Sequence, residues 1–228
     1  MNQIVTSGIM LSRTNFGEAD RIITILTPDY GKLKLMARGV RRVKSKLAGG
    51  VELFSVSNIS YIKGKKDIGT LVSTRLQTHF SHIVEDIDRT MIGYDIIKLL
   101  NKATEDAADV EYYRLLLQSF TVLDADHIDP LLTKCWFMAR LLQLLGHSPN
   151  LDTAADRSPL NPKKLYGFDY ASMGFYEQNK GTFTPNHIKV LRLLISEDAQ
   201  KIAIIKDIAQ TLKPIETLLQ RALTSYNR

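Results

Sequence analysis

The spacing of hydrophobic and polar positions changes once along this chain, near His79. Before that point, Ile4–Arg13, Arg21–Thr27, Lys32–Val40, Val51–Lys63 and Ile68–Leu76 alternate or are rich in β-branched residues. That is how half-buried strands read, and it predicts five of them. Asn15-Phe16-Gly17-Glu18, Pro28-Asp29-Tyr30-Gly31 and Gly64-Lys65-Lys66-Asp67 separate the runs with turn-forming residues. From His79 onward the period becomes helical. Phe80, Ile83, Val84, Ile87, Met91, Tyr94, Ile97 and Leu100 recur at three and four residues, which predicts one long amphipathic helix. Further helices are expected at Val110–Leu123, Asp129–Gly146, Pro185–Ser196 and Gln200–Tyr226. Asp129 suits a cap and Gly146 a stop, and Pro214 is expected to break the last helix.

These elements predict an α+β, multidomain chain. Five short strands in residues 1–78 suit a small Greek-key barrel of the oligonucleotide-binding (OB) type. Residues 79–228 form a mainly helical domain. Within it, residues 147–184 carry Pro149, Pro159 and Pro162 with little periodicity, a long irregular connection of the kind that serves function. Leu165–Asp169 and Gly174–Glu177 are placed to form a short hairpin inside it.

Charge divides the chain at the same point. Residues 1–80 hold 13 Lys and Arg against 5 Asp and Glu, whereas residues 81–228 hold 17 against 19. The net charge of +6 therefore resides in the strand-rich part. It is concentrated in YGKLKLMARGVRRVKSKLAGG, Tyr30–Gly50, where no acidic residue interrupts Lys32, Lys34, Arg38, Arg41, Arg42, Lys44 and Lys46. Lys32, Lys34, Met36 and Arg38 share one strand face opposite Leu33, Leu35 and Ala37. After Gly39 the alternation gives way to a basic loop closed by Gly49-Gly50, expected to be flexible. Such a surface suits a phosphate backbone; the alternative is a solvated strand with a charged turn. The stretch contains no Trp, Phe or Tyr after Tyr30, so phosphate contacts are expected to outweigh stacking.

Other chemistry is thinly represented. No Walker loop, dinucleotide fingerprint or glycine-flanked serine is present. The single cysteine, Cys135, excludes an internal disulfide and reads as a small buried hydrophobe beside Trp136. His79-x-x-His82 with Glu85 and Asp86 has metal-ligand spacing but no second cluster. Glu85, Asp86 and Asp88 with Glu105, Asp106 and Asp109 would serve a metal-dependent nuclease only if they converged on a pair of ions; at helix ends, carboxylates serve more often as dipole partners. No basic leader and no apolar run of about 18 residues is seen, so a cytoplasmic location is expected.

The run GEADRIITILTPDYGKLKLMARGVRRVKSKLAGGVELF, Gly17–Phe54, resembles the N-terminal signature of the bacterial RecO family of recombination mediators. The matching positions are Glu18, Asp20, Arg21 and Ile22, then Leu26-Thr27, Gly31-Lys32, Ala37-Arg38-Gly39-Val40-Arg41-Arg42, Lys44-Ser45, Leu47, Gly49 and Phe54. Later in the chain the pattern is an apolar helix ending in Leu145-Gly146 and followed by Pro149-Asn150-Leu151. Many members of that family carry two Cys-x-x-Cys pairs next; this chain reads DTAADRS and has none, so the resemblance implies a zinc-knuckle-like insertion without its cysteines, and no metal.

The resemblance implies a non-enzymatic protein of DNA repair and recombination in the RecF pathway, cytoplasmic and nucleoid-associated. It would bind single- and double-stranded DNA, anneal strands coated by single-strand-binding protein and, with RecR, assist RecA loading. Arg21, Lys32, Lys34, Arg38, Arg41, Arg42, Lys44 and Lys46 are the expected DNA-binding residues. The tail of single-strand-binding protein is assigned to Lys134, Phe137, Arg140 and Leu141 in the helix before Gly146. The alternatives are an RNA-binding OB module and a metal-dependent nuclease. No cofactor is expected.

Overall fold

The structure, a computed structural model, describes residues 3–64, 68–104 and 109–226. Its contacts divide into two compact units, residues 1–124 and 125–228.

The first unit begins with strands β1 (Gln3–Phe16), β2 (Asp20–Thr27), β3 (Gly31–Ala37), β4 (Ser55–Ile62) and β5 (Ile68–His79). They close into a barrel in the order β1-β2-β3-β5-β4. All pairings are antiparallel except that of β3 with β5, which spans Lys34↔Ile68, Leu35↔Gly69 and Met36↔Thr70. The predicted alternation appears in β3, where Leu35 and Ala37 are buried and Lys34 is exposed. Met10, Ile23, Ile25, Leu35, Ile59, Tyr61 and Leu71 fill the interior, as period-two strands require.

Three short helices follow: α1 (Ser81–Glu85), α2 (Ile87–Ala103) and α3 (Val110–Leu123). The single helix expected from Phe80 to Leu100 is therefore two. Asp86 is extended and its carboxylate accepts from Arg89 N at 2.9 Å, so this residue caps α2 instead of continuing α1. Phe54, expected in a strand, instead precedes β4 with φ of 56°. Its ring lies 5.3 Å from Tyr94 on α2 and 5.5 Å from Phe120 on α3. A Cβ on Gly93 would approach the Phe54 ring at 2.5 Å, so glycine at this point lets α2 lie against it. The contact division falls after residue 124, so α2 and α3 are grouped with the barrel in the first unit.

The second unit is built on α4 (Pro130–Leu144), α5 (Pro185–Ser196), α6 (Ala199–Ala203) and α7 (Ala209–Tyr226). Asp129 caps α4 by accepting from Leu131 N at 2.8 Å, and Gly146 follows the helix with φ of 75°. Pro214 does not break the last helix; it lies inside α7, and the interruption falls at residues 204–208, where Asp207 has φ of 59°. Burial of Leu212, Ile215, Leu218 and Leu219 outweighs the one backbone hydrogen bond that proline removes.

Residues 147–184 contain more order than their composition suggests. Strands β6 (Asn150–Ala154), β7 (Tyr166–Asp169) and β8 (Gly174–Glu177) form a sheet in the order β6-β8-β7. The β7–β8 pair is the hairpin read from the sequence; β6 was not foreseen. The sheet is packed by aromatic rings: Phe175 lies 4.9 Å from Phe168, 5.6 Å from Phe183 and 6.4 Å from Tyr166. Among the described residues no group of three or more metal-ligating side chains converges, and no helix is long and apolar enough to cross a membrane.

Candidate nucleic-acid interface

The basic stretch leaves the barrel at Arg38 and is pinned where it does so. Gly39, with φ of 64°, donates its N–H to the Asp20 carboxylate at 2.7 Å. Arg41 donates its backbone N–H to Ala19 O at 2.9 Å and a guanidinium N–H to Gly17 O at 3.2 Å. The loop is thereby tied to the β1–β2 turn, while Val40 and Val51 anchor its ends in the core. Gly49-Gly50 is not a flexible closure. Residues Ala48–Gly50 form a 3-10 turn, and Gly50 is buried so close to Thr74 that an added Cβ would lie 2.4 Å from that side chain.

On this frame Arg38, Arg41, Arg42, Lys44 and Lys46 are exposed, and so is Lys34 on β3. Val43 is fully exposed among them, an apolar tip between two cations. Exposed cations held on a constrained loop can neutralise phosphates with little further ordering cost.

Two of the eight expected DNA-binding residues are placed differently from the rest. Lys32 donates to the Asn101 carbonyl at 2.8 Å and to its side-chain oxygen at 2.9 Å, which satisfies an acceptor in the last turn of α2. Arg21 pairs in register with Ala37, whereas Lys34 pairs with Thr24. Alternation therefore puts Arg21 on the opposite face from Lys34, at the barrel mouth, where its Nε donates to Asn15 at 3.2 Å. The structure thus joins Arg38 through Lys46 into one basic loop and leaves Lys32 occupied within the unit.

The four tail-binding candidates on α4 do not form a groove. Phe137 and Leu141 are wholly buried in the second unit and offer a peptide no surface. Lys134 is buried too and makes an ion pair with Glu216 on α7 at 2.9 Å. Burial would raise the Glu216 pKa, but hydrogen bonds from Lys213 and Lys134 outweigh it and hold the carboxyl below its ordinary range. Arg140 is half-buried; it lies 5.6 Å from the Trp136 ring centre and donates to Glu197 O at 3.2 Å. Desolvation lowers its pKa, opposed by the nearby Asp198 and Glu197. Its Nε is buried without an acceptor. Cys135 is buried, which pushes its thiol far above the ordinary range.

Two of the carboxylates considered for metal chemistry cap helices instead. Asp86 caps α2, and Asp109 caps α3 by accepting from Glu111 N at 3.2 Å. Glu105 and Asp106 lie outside the described residues.

Two family models match, Recombination protein O N terminal over residues 1–80 and Recombination protein O C terminal over residues 84–227. The chain belongs to the RecO family. The DNA repair protein RecO of Acetivibrio thermocellus is 35% identical over 207 residues, covering 88% of this chain and 78% of that relative. That of Dehalococcoides mccartyi is 29% identical over 229 residues, 94% of this chain and 87% of the relative. That of Halalkalibacterium halodurans is 28% identical over 229 residues, 96% and 88% respectively.

Within this RecO-family chain, sequence reasoning missed how Asp20 works. It stands at the start of β2, one strand ahead of the basic stretch, and nothing in the sequence assigns it a role beyond its place in the family signature. Its use is to hold Gly39 N and so fix the direction in which the arginines leave the barrel. The signal available was its place within the GEADRI run.

Proposed function

We propose that this chain is a DNA-binding recombination mediator that acts by holding strands rather than by catalysis. Its first unit binds single- and double-stranded DNA on the Arg38–Lys46 loop and Lys34, anneals complementary strands coated by single-strand-binding protein, and works with RecR to assist RecA loading in the cytoplasm at the nucleoid. The observation that carries this reading is the exposed, pinned basic loop without a carboxylate in its length. The barrel order β1-β2-β3-β5-β4 supports reading the domain as an OB-fold. Family membership supports the repair role, since the matched relatives are DNA repair proteins. Cations that neutralise two strands at once remove the repulsion opposing their encounter, and base pairing supplies the sequence match. Annealing of complementary strands precoated with single-strand-binding protein is the test: acceleration by the wild type and its loss in Arg41→Glu/Arg42→Glu are expected. No acceleration by the wild type rejects the proposal.

An acidic tail with an apolar end requires an apolar floor with cations at its rim. In the second unit a groove of about 500 Å³ between the β7–β8 hairpin and α7 has Phe168, Phe183 and Leu218 along it, with Lys213 and Arg221 among its cations. Arg221 lies 4.4 Å from the Tyr170 ring centre, which holds its charge at the groove. This groove and the half-buried Arg140 guanidinium are the two places assigned to the tail of single-strand-binding protein. Titration of a fluorescent tail peptide against Arg221→Ala and Arg140→Ala decides between them, and equal affinity of both variants and the wild type rejects both.

A further inference from the structure

At the end of β3 remote from the basic loop, a cleft of about 320 Å³ opens between β3 and β5. Tyr30 and Tyr61 meet in it edge to face, with ring centres 6.3 Å apart. Tyr30 is 48% exposed, so one aromatic surface is available to a ligand, while Tyr61 is buried beneath it. Burial raises the Tyr61 pKa, and the neighbouring Tyr30 adds to the shift, so the Tyr61 phenol stays neutral at physiological pH. Gly69 of β5 stands opposite Leu35, and a Cβ there would lie 2.8 Å from Leu35 and 2.9 Å from Ile62 O, so the β5 backbone packs closely against the edge of this cleft.

The rim is cationic. Lys32, Lys34 and Lys63 are among the lining residues, no carboxylate lines the cleft among the described residues, and Lys34 and Lys63 are exposed. Asp29, next to Tyr30 in the chain, is turned to another use and accepts from Thr6 at 2.8 Å.

We infer that this cleft takes an unstacked nucleobase of a single strand against Tyr30, with the flanking phosphates on Lys34 and Lys63. The inference rests on the DNA-binding reading above and deepens it. An aromatic face beside amines suits a ligand that is flat and apolar at one point and anionic at the next, which describes a nucleotide in a strand. Bases in a duplex are already stacked on each other and have no face to offer, so the cleft selects single strands. The basic loop beyond Ala37, at the other end of β3, takes phosphates of either form. At about 3.3 Å per residue, β3 separates the two by roughly 20 Å, a span that one bound strand of several nucleotides covers. Stacking was not foreseen because Tyr61 is far from the basic stretch in sequence; barrel closure alone brings it beside Tyr30.

The test is equilibrium binding of a single-stranded oligonucleotide and a duplex of equal length to wild type, Tyr30→Ala and Tyr30→Phe, with thermal unfolding of each. Tyr30→Ala is expected to lose about tenfold in single-strand affinity and Tyr30→Phe to retain it, as base stacking on an aromatic ring requires. Duplex affinity is expected to stay at the wild-type value for both. An equal loss on single strand and duplex, or no loss on either, overturns the inference while leaving the DNA-binding reading intact. Failure of the wild type to bind either nucleic acid overturns both. Should Tyr30→Ala not fold, photocrosslinking of an iododeoxyuridine-substituted single strand to the wild type, mapped by mass spectrometry, replaces it. A crosslink at Tyr30 is expected, and crosslinks confined to other residues overturn the inference.

Discussion

The basic loop of the first unit and helix α4 of the second were both marked by sequence as binding surfaces, and they fare differently in the structure. Arg38, Arg41, Arg42, Lys44 and Lys46 all reach solvent, whereas Phe137 and Leu141 are fully buried and Lys134 is tied to Glu216. The difference lies in what each residue type costs to bury. Five cations in a stretch that holds no carboxylate of its own have no ready partner for a core, so their exposure follows from chemistry. Leu and Phe are equally content in a core or in a groove, so an apolar helical stripe does not say which it lines.

The largest expected effect on that comparison is on stability. Phe137→Ala, which empties a fully buried ring site, is expected to destabilise the second unit by about 3–5 kcal/mol. Arg41→Glu/Arg42→Glu is expected to leave the unfolding temperature nearly unchanged. Denaturant titration of both variants is the measurement, and a stable Phe137→Ala protein would return α4 to the surface. Next in size is Lys134→Ala, expected to cost about 2 kcal/mol; breaking a buried ion pair outright costs more, but Lys213 still serves Glu216. Lys213→Ala, at a mostly exposed cation, is expected to cost under about 1 kcal/mol in the same experiment.

DNA affinity sharpens the contrast from the other side. Arg41→Glu/Arg42→Glu is expected to weaken single-strand and duplex binding together and to flatten the dependence of affinity on salt, since each neutralised phosphate releases counterions. Unchanged salt dependence in a binding titration would make the pair structural.

The smallest expected effect is on the pH dependence of the second unit. Burial lowers the His187 pKa below its ordinary value of 6.5, so the native state favours neutral imidazole. Its contribution to stability is complete above the unfolded pKa and declines as pH falls below about 6.5, because only the unfolded chain gains the proton. Glu216, whose pKa is also held down, contributes fully above the ordinary carboxylate range and loses its contribution as pH falls through that range. Two successive losses on acidification are therefore expected in unfolding measurements, and His187→Gln should remove the first.

Much of this protein was determined by sequence alone. Alternation along residues 4–76 requires strands, since only an extended chain puts every second side chain on one face. The spacing of apolar residues from Val110 to Leu123 requires a helix, and Asp129 with Pro130 marks the start of another. The density of Lys and Arg between Lys32 and Lys46 required an exposed basic surface. Tertiary structure decided the rest, because it depends on contacts between positions remote in sequence. Whether Lys32 faces DNA or Asn101 depends on where α2 ends against the barrel. Whether Arg21 joins the lysines depends on strand register, which a single residue of slip would reverse. Whether Phe137 is core or groove depends on α5 to α7 coming back to cover it. Tyr30 and Tyr61 share a cleft only because the barrel closes on itself, a proximity that exists nowhere along the chain.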